Sequence, residues 1–271
     1  MRRMLLLMVV VLACALPCAG QEADAFSFAV FGDCRPGSAP YSPVMAAIAT
    51  DISEQGVAFV VGTGDYIEGS SNQAVVRAQF QRFFEAIAPL QSRKPTPVAF
   101  APGNHDISRI PANEAIFEEY FGHLYFSFNF GQCHFIILDT DGAHTAGTIE
   151  AAQMQWLRQD LAAHQAAVFT FVALHQPLFP VDGHVGSSLD VVPVKRDALH
   201  ALFIQQGVDC VFAGHEHLYN YQLKDGIHYF ITGGAGAPLY TQPERGGFYH
   251  YLLVKVEGTR FEVTVRRITA G

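Results

Sequence analysis

Charge is scarce in this chain. Asp, Glu, Lys and Arg make up only 15% of its 271 residues, and 17 basic residues face 25 acidic ones, for a formal charge of -8. Lys and Arg form no cluster, which excludes a nucleic-acid face, because affinity for a long polyanion comes mainly from neutralising its phosphates. A small phosphorylated substrate stays open, since bound cations set the local field whatever the overall balance. Cysteine is scarce as well. Of the five, Cys14 and Cys18 lie in an N-terminal apolar stretch, which leaves Cys34, Cys133 and Cys210, each near or inside an apolar run. Three thiols make at most one disulfide, so a disulfide-built scaffold is excluded and buried, reduced cysteines are expected. Internal repeats, low-complexity tracts and charged linkers are missing too. A chain of this length without a linker reads as one domain, over residues 26–271.

Long apolar stretches are also rare. The one that stands out, residues 4–16, is too short for a comfortable membrane span. It follows Arg2-Arg3 and precedes the small residues Cys18-Ala19-Gly20, which is the layout of a secretory signal peptide. Cleavage is expected after Gly20, with Ala23-Asp24-Ala25 as a second candidate, so residues 1–20 read as a leader. The protein is then exported, periplasmic or secreted, with no stable membrane insertion after cleavage. An uncleaved anchor or a lipid on Cys14 or Cys18 is the lesser alternative, and Pro17 directly before Cys18 argues against the latter. Nothing in the sequence indicates an oligomeric state.

What the chain has in abundance is hydrophobicity: half of its residues, including 22 Phe, are material for a large core. Five of its apolar runs share one feature, since each stops at a polar group. Val30-Phe31 stops at Gly32-Asp33-Cys34-Arg35, and Phe59-Val60-Val61 stops at Gly62-Thr63-Gly64-Asp65. Val98-Ala99-Phe100-Ala101 runs into Pro102-Gly103-Asn104-His105-Asp106. The run 169–174 stops at His175, and Val211-Phe212-Ala213 stops at Gly214-His215-Glu216-His217. Ligand sites of open α/β sheets lie outside the carboxyl ends of the strands, so these endings read as one metal-binding floor.

The remaining pattern fits an α/β fold. Strands at 26–31, to about Val61 and after Lys94-Pro95-Thr96-Pro97 alternate with two helices. The first is capped by Ser42, begun by Pro43 and closed by Gly56; the second is opened by Gly69-Ser70-Ser71-Asn72. Short loops between such elements imply a parallel sheet. A hairpin around Gly131-Gln132 follows, then a helix capped by Thr148 and another from Pro193 to Gly207. Strands at 219–223 and 228–231 and a final hairpin around Glu257-Gly258 complete the chain.

Carboxylate, amide and imidazole together suit borderline divalent metals, and imidazole favours Zn, Fe or Mn over Mg or Ca. His215 and His217, two apart in extended or loop backbone, share a face and reach the same cluster. Glycine directly before a functional residue lets backbone approach a crowded site.

The ordered set Gly32-Asp33, Gly64-Asp65, Gly103-Asn104-His105-Asp106, His175 and Gly214-His215-Glu216-His217 resembles the calcineurin-like metallophosphoesterases. Within them it is most similar to the purple-acid-phosphatase-related branch, over roughly residues 26–256. The resemblance implies a four-layer sandwich, two packed mixed β-sheets flanked by helices. It implies a centre of two divalent or trivalent ions, Fe, Mn or Zn. Asp65 would bridge them, Asp33 and His217 would serve one, and Asn104, His175 and His215 the other. A phosphate ester, a monoester before a diester, would be hydrolysed by in-line attack of a hydroxide held between the ions. His105 would protonate the leaving oxygen, and Asp106 would orient its ring.

The chain departs from that family pattern at two positions. Asp33-Cys34-Arg35 stands where many members have Asp-x-His, and Glu68 stands where the purple acid phosphatases carry a tyrosine ligand. Arginine cannot ligate a metal. Arg35 therefore reads as a fork for phosphate, which suits its bidentate geometry. The first ion then has one ligand fewer, binds more weakly or recruits Glu68, and the purple colour of a tyrosinate-iron bond is not expected. The alternative is a non-catalytic metal- or phosphate-binding module of the same fold with an impaired first site. A dinuclear hydrolase of the β-lactamase-like type is disfavoured, because its His-x-His-x-Asp-His cluster is absent. His184 reads equally as a pocket residue on a loop or as a solvated one. Asp139 reads as a buried hydrogen-bonding carboxylate, and the remaining histidines as structural.

Overall fold

The computed structural model of the protein describes residues 25–36, 43–92, 95–142 and 147–269. The expected leader, residues 1–20, and the expected cap Ser42 lie outside the described residues. The first half alternates strand and helix: β1 (Ala25–Phe31), α1 (Pro43–Gln55), β2 (Phe59–Gly62), α2 (Gln73–Ala86), the single turn α3 (Pro89–Ser92) and β3 (Val98–Phe100). In α1 the buried Val44, Met45, Ile48, Ala49 and Ile52 recur at helical spacing on one face, and Gly56, at φ +65°, lets the chain leave the helix. Asn72 caps α2, its side chain accepting from the Ala74 N–H at 3.0 Å. Next come the short α4 (Asn104–Ile107), α5 (Pro111–Phe121), the hairpin β4 (Phe126–Phe130) and β5 (Cys133–Ile137), α6 (Ala151–Ala163) and β6 (Phe169–Ala173). The chain closes with α7 (Pro193–Gln206), β7 (Cys210–Ala213), β8 (Tyr219–Lys224), β9 (Ile227–Thr232), β10 (His250–Glu257) and β11 (Arg260–Arg267).

Two mixed sheets result, with strand orders β11-β10-β1-β2-β3 and β4-β5-β6-β7-β9-β8. Strands β1, β2 and β3 run parallel in the first, and β5, β6, β7 and β9 run parallel in the second. The inner faces meet through phenylalanine rings, with centroids 5.2 Å apart for Phe28 and Phe135 and 5.0 Å for Phe59 and Phe135. This is where much of the Phe excess goes. Helices α1, α2 and α5 cover the outer face of the first sheet through residues such as Ile48, Phe80 and Phe117. Helices α6 and α7 cover the second through Leu157, Leu161, Leu199 and Phe203. The order of layers is helix, sheet, sheet, helix, as the resemblance implies.

Some local expectations differ from what forms. Thr148 does not cap the helix that follows it. The chain turns at Gly147, φ +62°, Glu150 is the last extended residue, and α6 begins at Ala151. Helix α5 has no counterpart in the sequence reading, although Pro111 opens it and Gly122 closes it. Cys34, Cys133 and Cys210 are buried free thiols, as expected. Among the described residues, no helix is long and apolar enough to cross a membrane.

Two histidines without a motif act inside the scaffold. His134 Nε2 meets Asp160 Oδ2 at 2.8 Å and its Nδ1 meets Asn129 Oδ1 at 2.7 Å. Its ring stacks on His164 at 3.8 Å with 11° between planes. Lone pairs lie in the ring planes, so face-to-face imidazoles cannot both aim at one ion. The cluster is a tie between β5 and α6. His250 is wholly buried, its Nδ1 2.9 Å from the Phe248 carbonyl and its Nε2 3.2 Å from the Thr232 hydroxyl.

Burial pushes the His250 imidazole down from 6.5 to about 4. The folded chain then binds fewer protons than the unfolded one, so stability falls as pH drops from 6.5 towards 4 and flattens below. The gap is worth about 3 kcal/mol. His250→Gln should flatten the pH dependence of the unfolding free energy across that window by roughly this amount. Denaturant midpoints at several pH values give the slope, and an unchanged slope would remove His250 from the account.

Candidate metal centre

The loops after β1, β2, β3, β6 and β7 meet at one end of the sandwich, because those strands point the same way within their sheets. All six expected ligands are there. Asp33, Asp65 and His217 each bring a donor atom within 4.8 Å of the others, with Asp33 Oδ1 3.6 Å from His217 Nε2. On the other side, His175 Nε2 lies 3.4 Å from Asp65 Oδ1, 3.0 Å from Asn104 Oδ1 and 3.1 Å from His215 Nδ1. Asp65 is common to both groups.

Local backbone explains why these side chains converge. Asp33, Asp65 and His215 sit in the left-handed region, at φ 58°, 58° and 70°, which costs a non-glycine residue roughly 1–2 kcal/mol. Each bends its loop so that the next turn can nest against it, and the glycines keep the nest open. A Cβ on Gly103 would strike the Asp65 backbone N and Oδ1, one on Gly214 would strike Asp33 Oδ2, and one on Gly64 would lie 2.6 Å from His175 Nδ1. Imidazole orientation is set from behind. His175 Nδ1 lies 2.8 Å from the Thr63 carbonyl and His217 Nδ1 2.6 Å from the Pro238 carbonyl. A carbonyl only accepts, so in the neutral ring Nδ1 carries the hydrogen and Nε2 presents its lone pair to the cluster.

The electrostatics fit a cation-binding site. Burial pushes the Asp33 carboxyl up to about 8, with His175 pulling against it and Asp65 adding to it. Burial would lower His175, but the carboxylates of Asp65, Asp33 and Asp141 outweigh it and push the ring up to about 9. Burial drives His217 down to about 4, and burial with the neighbouring His175 drives His215 lower still. Buried carboxylates packed around a buried imidazole favour a cation among them. Two carboxylates, one amide and three imidazoles are the donor set that borderline divalent ions take.

Three neighbours of the cluster are placed differently from the sequence reading, or more fully. Asp106 does not orient His105. Its carboxylate accepts from the N–H groups of Asp65 and Gly103 at 2.8 Å, Tyr66 at 2.9 Å and Ile67 at 3.3 Å, so it fixes the loop that carries Asp65. The His105 ring is held instead by the Glu68 carbonyl, 2.8 Å from Nδ1, and its Nε2 lies 3.9 Å from Asp65 Oδ2. Arg35 Nη1 donates to Glu68 Oε2 at 3.0 Å, while Nε, 3.8 Å from Asp65 Oδ2, is buried without a hydrogen-bond partner. Burial opposes the Arg35 charge, and Asp65 and Glu68 outweigh that. The guanidinium therefore stands as a fixed cation at the edge of the first group.

His184 lies against the cluster: its ring is 3.9 Å from that of His215, and Nε2 is 3.4 Å from the Tyr240 hydroxyl. Tyr240 stacks on His217 at 4.1 Å. Sequence reasoning missed Tyr240, which follows the glycine-rich turn in a stretch with no motif. Asp139 accepts from the Asp141 N–H at 2.7 Å and is not among the candidate ligands.

The chain belongs to the calcineurin-like phosphoesterase family, whose model matches residues 26–219. Among curated proteins it is similar to purple acid phosphatase 22 of Arabidopsis thaliana, 28% identical over 209 residues, covering 71% of this chain and 44% of the relative. It is also similar to serine/threonine-protein phosphatase CPPED1 of Bos taurus, 31% identical over 129 residues, covering 45% of this chain and 41% of the relative. The chain thus spans less than half the length of these relatives. Among solved structures, its fold is similar to the purple acid phosphatase PPD1 of yellow lupin seeds, with a TM-score of 0.68, 16% identity and coverage of 90% of this chain and 51% of that one. A dimetal phosphatase from Danio rerio gives 0.68, 15%, 89% and 96%.

Proposed function

We propose that the protein is a metal-dependent phosphoesterase that hydrolyses small phosphate esters, monoesters before diesters. One observation carries the reading: six donor side chains from five strand ends converge in two groups that share Asp65. Asp33, Asp65 and His217 would hold one ion, and Asp65, Asn104, His175 and His215 the other. Bound there, the ions would polarise the phosphoryl group as Lewis acids and lower the pKa of water at the site. The residues around them divide the remaining work. Arg35 offers its fork to the phosphate oxygens, His105, as the imidazolium, would give the Nε2 proton to the leaving oxygen, and His184 and Tyr240 lie over the imidazoles of His215 and His217. Metal-loaded protein should hydrolyse p-nitrophenyl phosphate faster than bis(p-nitrophenyl) phosphate, with elemental analysis counting the ions.

A second reading, a binding module that has lost catalysis, draws support from Arg35 and its pairing with Glu68 beside the first group. No turnover of any phosphate ester with two ions bound would favour it. Export after cleavage of residues 1–20 belongs to the same proposal, supported by the leader-like pattern of those residues. The N-terminal sequence of the mature protein tests it.

Arg35→Ala separates the two uses of that cation. A charge-assisted hydrogen bond contributes about 1.5–3 kcal/mol, and the existing tie to Glu68 takes part of it. KM should therefore rise about tenfold while two ions remain bound. A large loss of metal at unchanged KM would show that Arg35 shapes the first ion site instead.

A further inference from the structure

Glu216, between the two candidate ligand histidines, is fully buried, and its side chain grips the backbone of a separate segment. Oε2 accepts from the Val181 N–H at 2.7 Å, and Oε1 accepts from Asp182 at 2.7 Å and His184 at 3.4 Å. Backbone N–H groups gathered around a carboxylate make an anion-binding concavity, here filled by the protein's own side chain. The segment is folded around His184 as well. The Ser187 N–H and the Ser188 hydroxyl donate to the His184 carbonyl at 3.0 and 3.2 Å, and Asp190 accepts from Gly186 and Ser188. The Asp182 side chain is also 3.7 Å from Arg245.

We propose that Glu216 is a positioning residue: it locks segment 181–188 to the turn that carries His215 and His217, and so seats the His184 ring against His215 and Tyr240 as the wall of the substrate pocket. The two ligand histidines and the wall then move as one unit. What Glu216 controls is the room above the site, and with it the binding of the phosphorylated ligand. The proposal rests on the phosphoesterase reading only where it speaks of an ester. The lock itself is a property of the fold.

The test uses the full metal-loaded protein with Glu216→Ala, Glu216→Gln, His184→Ala and the Glu216→Ala/His184→Ala pair. Hydrogen exchange reads the Val181, Asp182 and His184 amides, elemental analysis reads ions per chain, and calorimetry with inorganic phosphate reads the pocket without turnover. In Glu216→Ala the three amides should exchange at least tenfold faster, and phosphate should bind several-fold more weakly. With an ester, KM should rise by a similar factor while kcat changes less. Ions per chain should match the parent. His184→Ala should weaken phosphate comparably, and the double variant should be no worse than either single one, as expected for groups acting through one another. Glu216→Gln, which keeps one acceptor oxygen, should lie between parent and Glu216→Ala, and it carries the test if the alanine variant does not fold. Unchanged amide exchange, additive losses in the double variant, or loss of ions with the wall still protected would overturn the proposal. A parent that turns over no ester would sink the phosphoesterase reading alone, because exchange and phosphate binding still report on the lock.

Discussion

Asp65→Ala should strip both ions from the protein and take phosphoester turnover down to the assay background. The expectation follows from where the carboxylate stands. One oxygen lies 3.4 Å from His175 Nε2, and the same residue belongs to the group with Asp33 and His217. Removing it takes a donor from each ion at once and leaves Asp33 and the imidazoles to bind two cations without a shared anion between them. Altering groups that merely orient ligands costs ~10–100-fold in metal affinity, and removing a shared ligand should exceed that at both sites. The substitution also puts alanine at φ 58°, where a Cβ without a local hydrogen bond is disfavoured. Asp65→Asn controls for this. Asparagine tolerates the left-handed region and can still accept from the His105 N–H, which donates to Asp65 Oδ1 at 2.9 Å, but it brings no charge. Elemental analysis after dialysis should find neither variant holding two ions. Two retained ions per chain in Asp65→Ala would refute the bridging role, whatever happened to activity.

Asp65 also shows which parts of such a site can be read from sequence. A ligand at a strand end announces itself, because an apolar run must stop somewhere and the polar residue that stops it faces the sheet edge. Glycine beside it is legible for the same reason, as Gly64 and Gly103 press against His175 and Asp65. Strands β1, β2, β3, β6 and β7 and the helices packed on them follow from that punctuation. Long-range hydrogen bonding is not legible in this way. Asp106 looks like a partner for the adjacent His105, yet its acceptors go to N–H groups about forty residues upstream, because a turn with exposed N–H groups needs them more. The cap expected at Thr148 fails for a related reason: the turn at Gly147 consumes the residues before the helix can start. His184 is ambiguous as a loop histidine until the Glu216 contacts, 32–35 residues away, are known. Tyr240 carries no motif, and only stacking on His217 gives it a place.

The same geometry makes a divided prediction for His105. Its ring is 29% exposed, its Nδ1 is tied to the Glu68 carbonyl, and its backbone N–H donates to Asp65 Oδ1, which leaves Nε2 facing the cluster for the proposed role of proton donor. Proton delivery by a positioned side chain contributes about 10²–10⁴ in rate, but only where the leaving oxygen needs the proton. An alkoxide does, and p-nitrophenolate leaves readily without one. His105→Ala should therefore lower kcat on an alkyl phosphate by about a hundredfold or more and lower it far less on p-nitrophenyl phosphate, with ions per chain unchanged. His105→Gln, which restores bulk and a hydrogen bond but no titratable proton, should behave like the alanine variant. Equal losses on both esters would mean that the imidazole steadies charge on the phosphoryl group itself. Loss of metal in both variants would mean that the ring matters for holding the Asp65 loop, and the leaving oxygen would then take its proton from solvent.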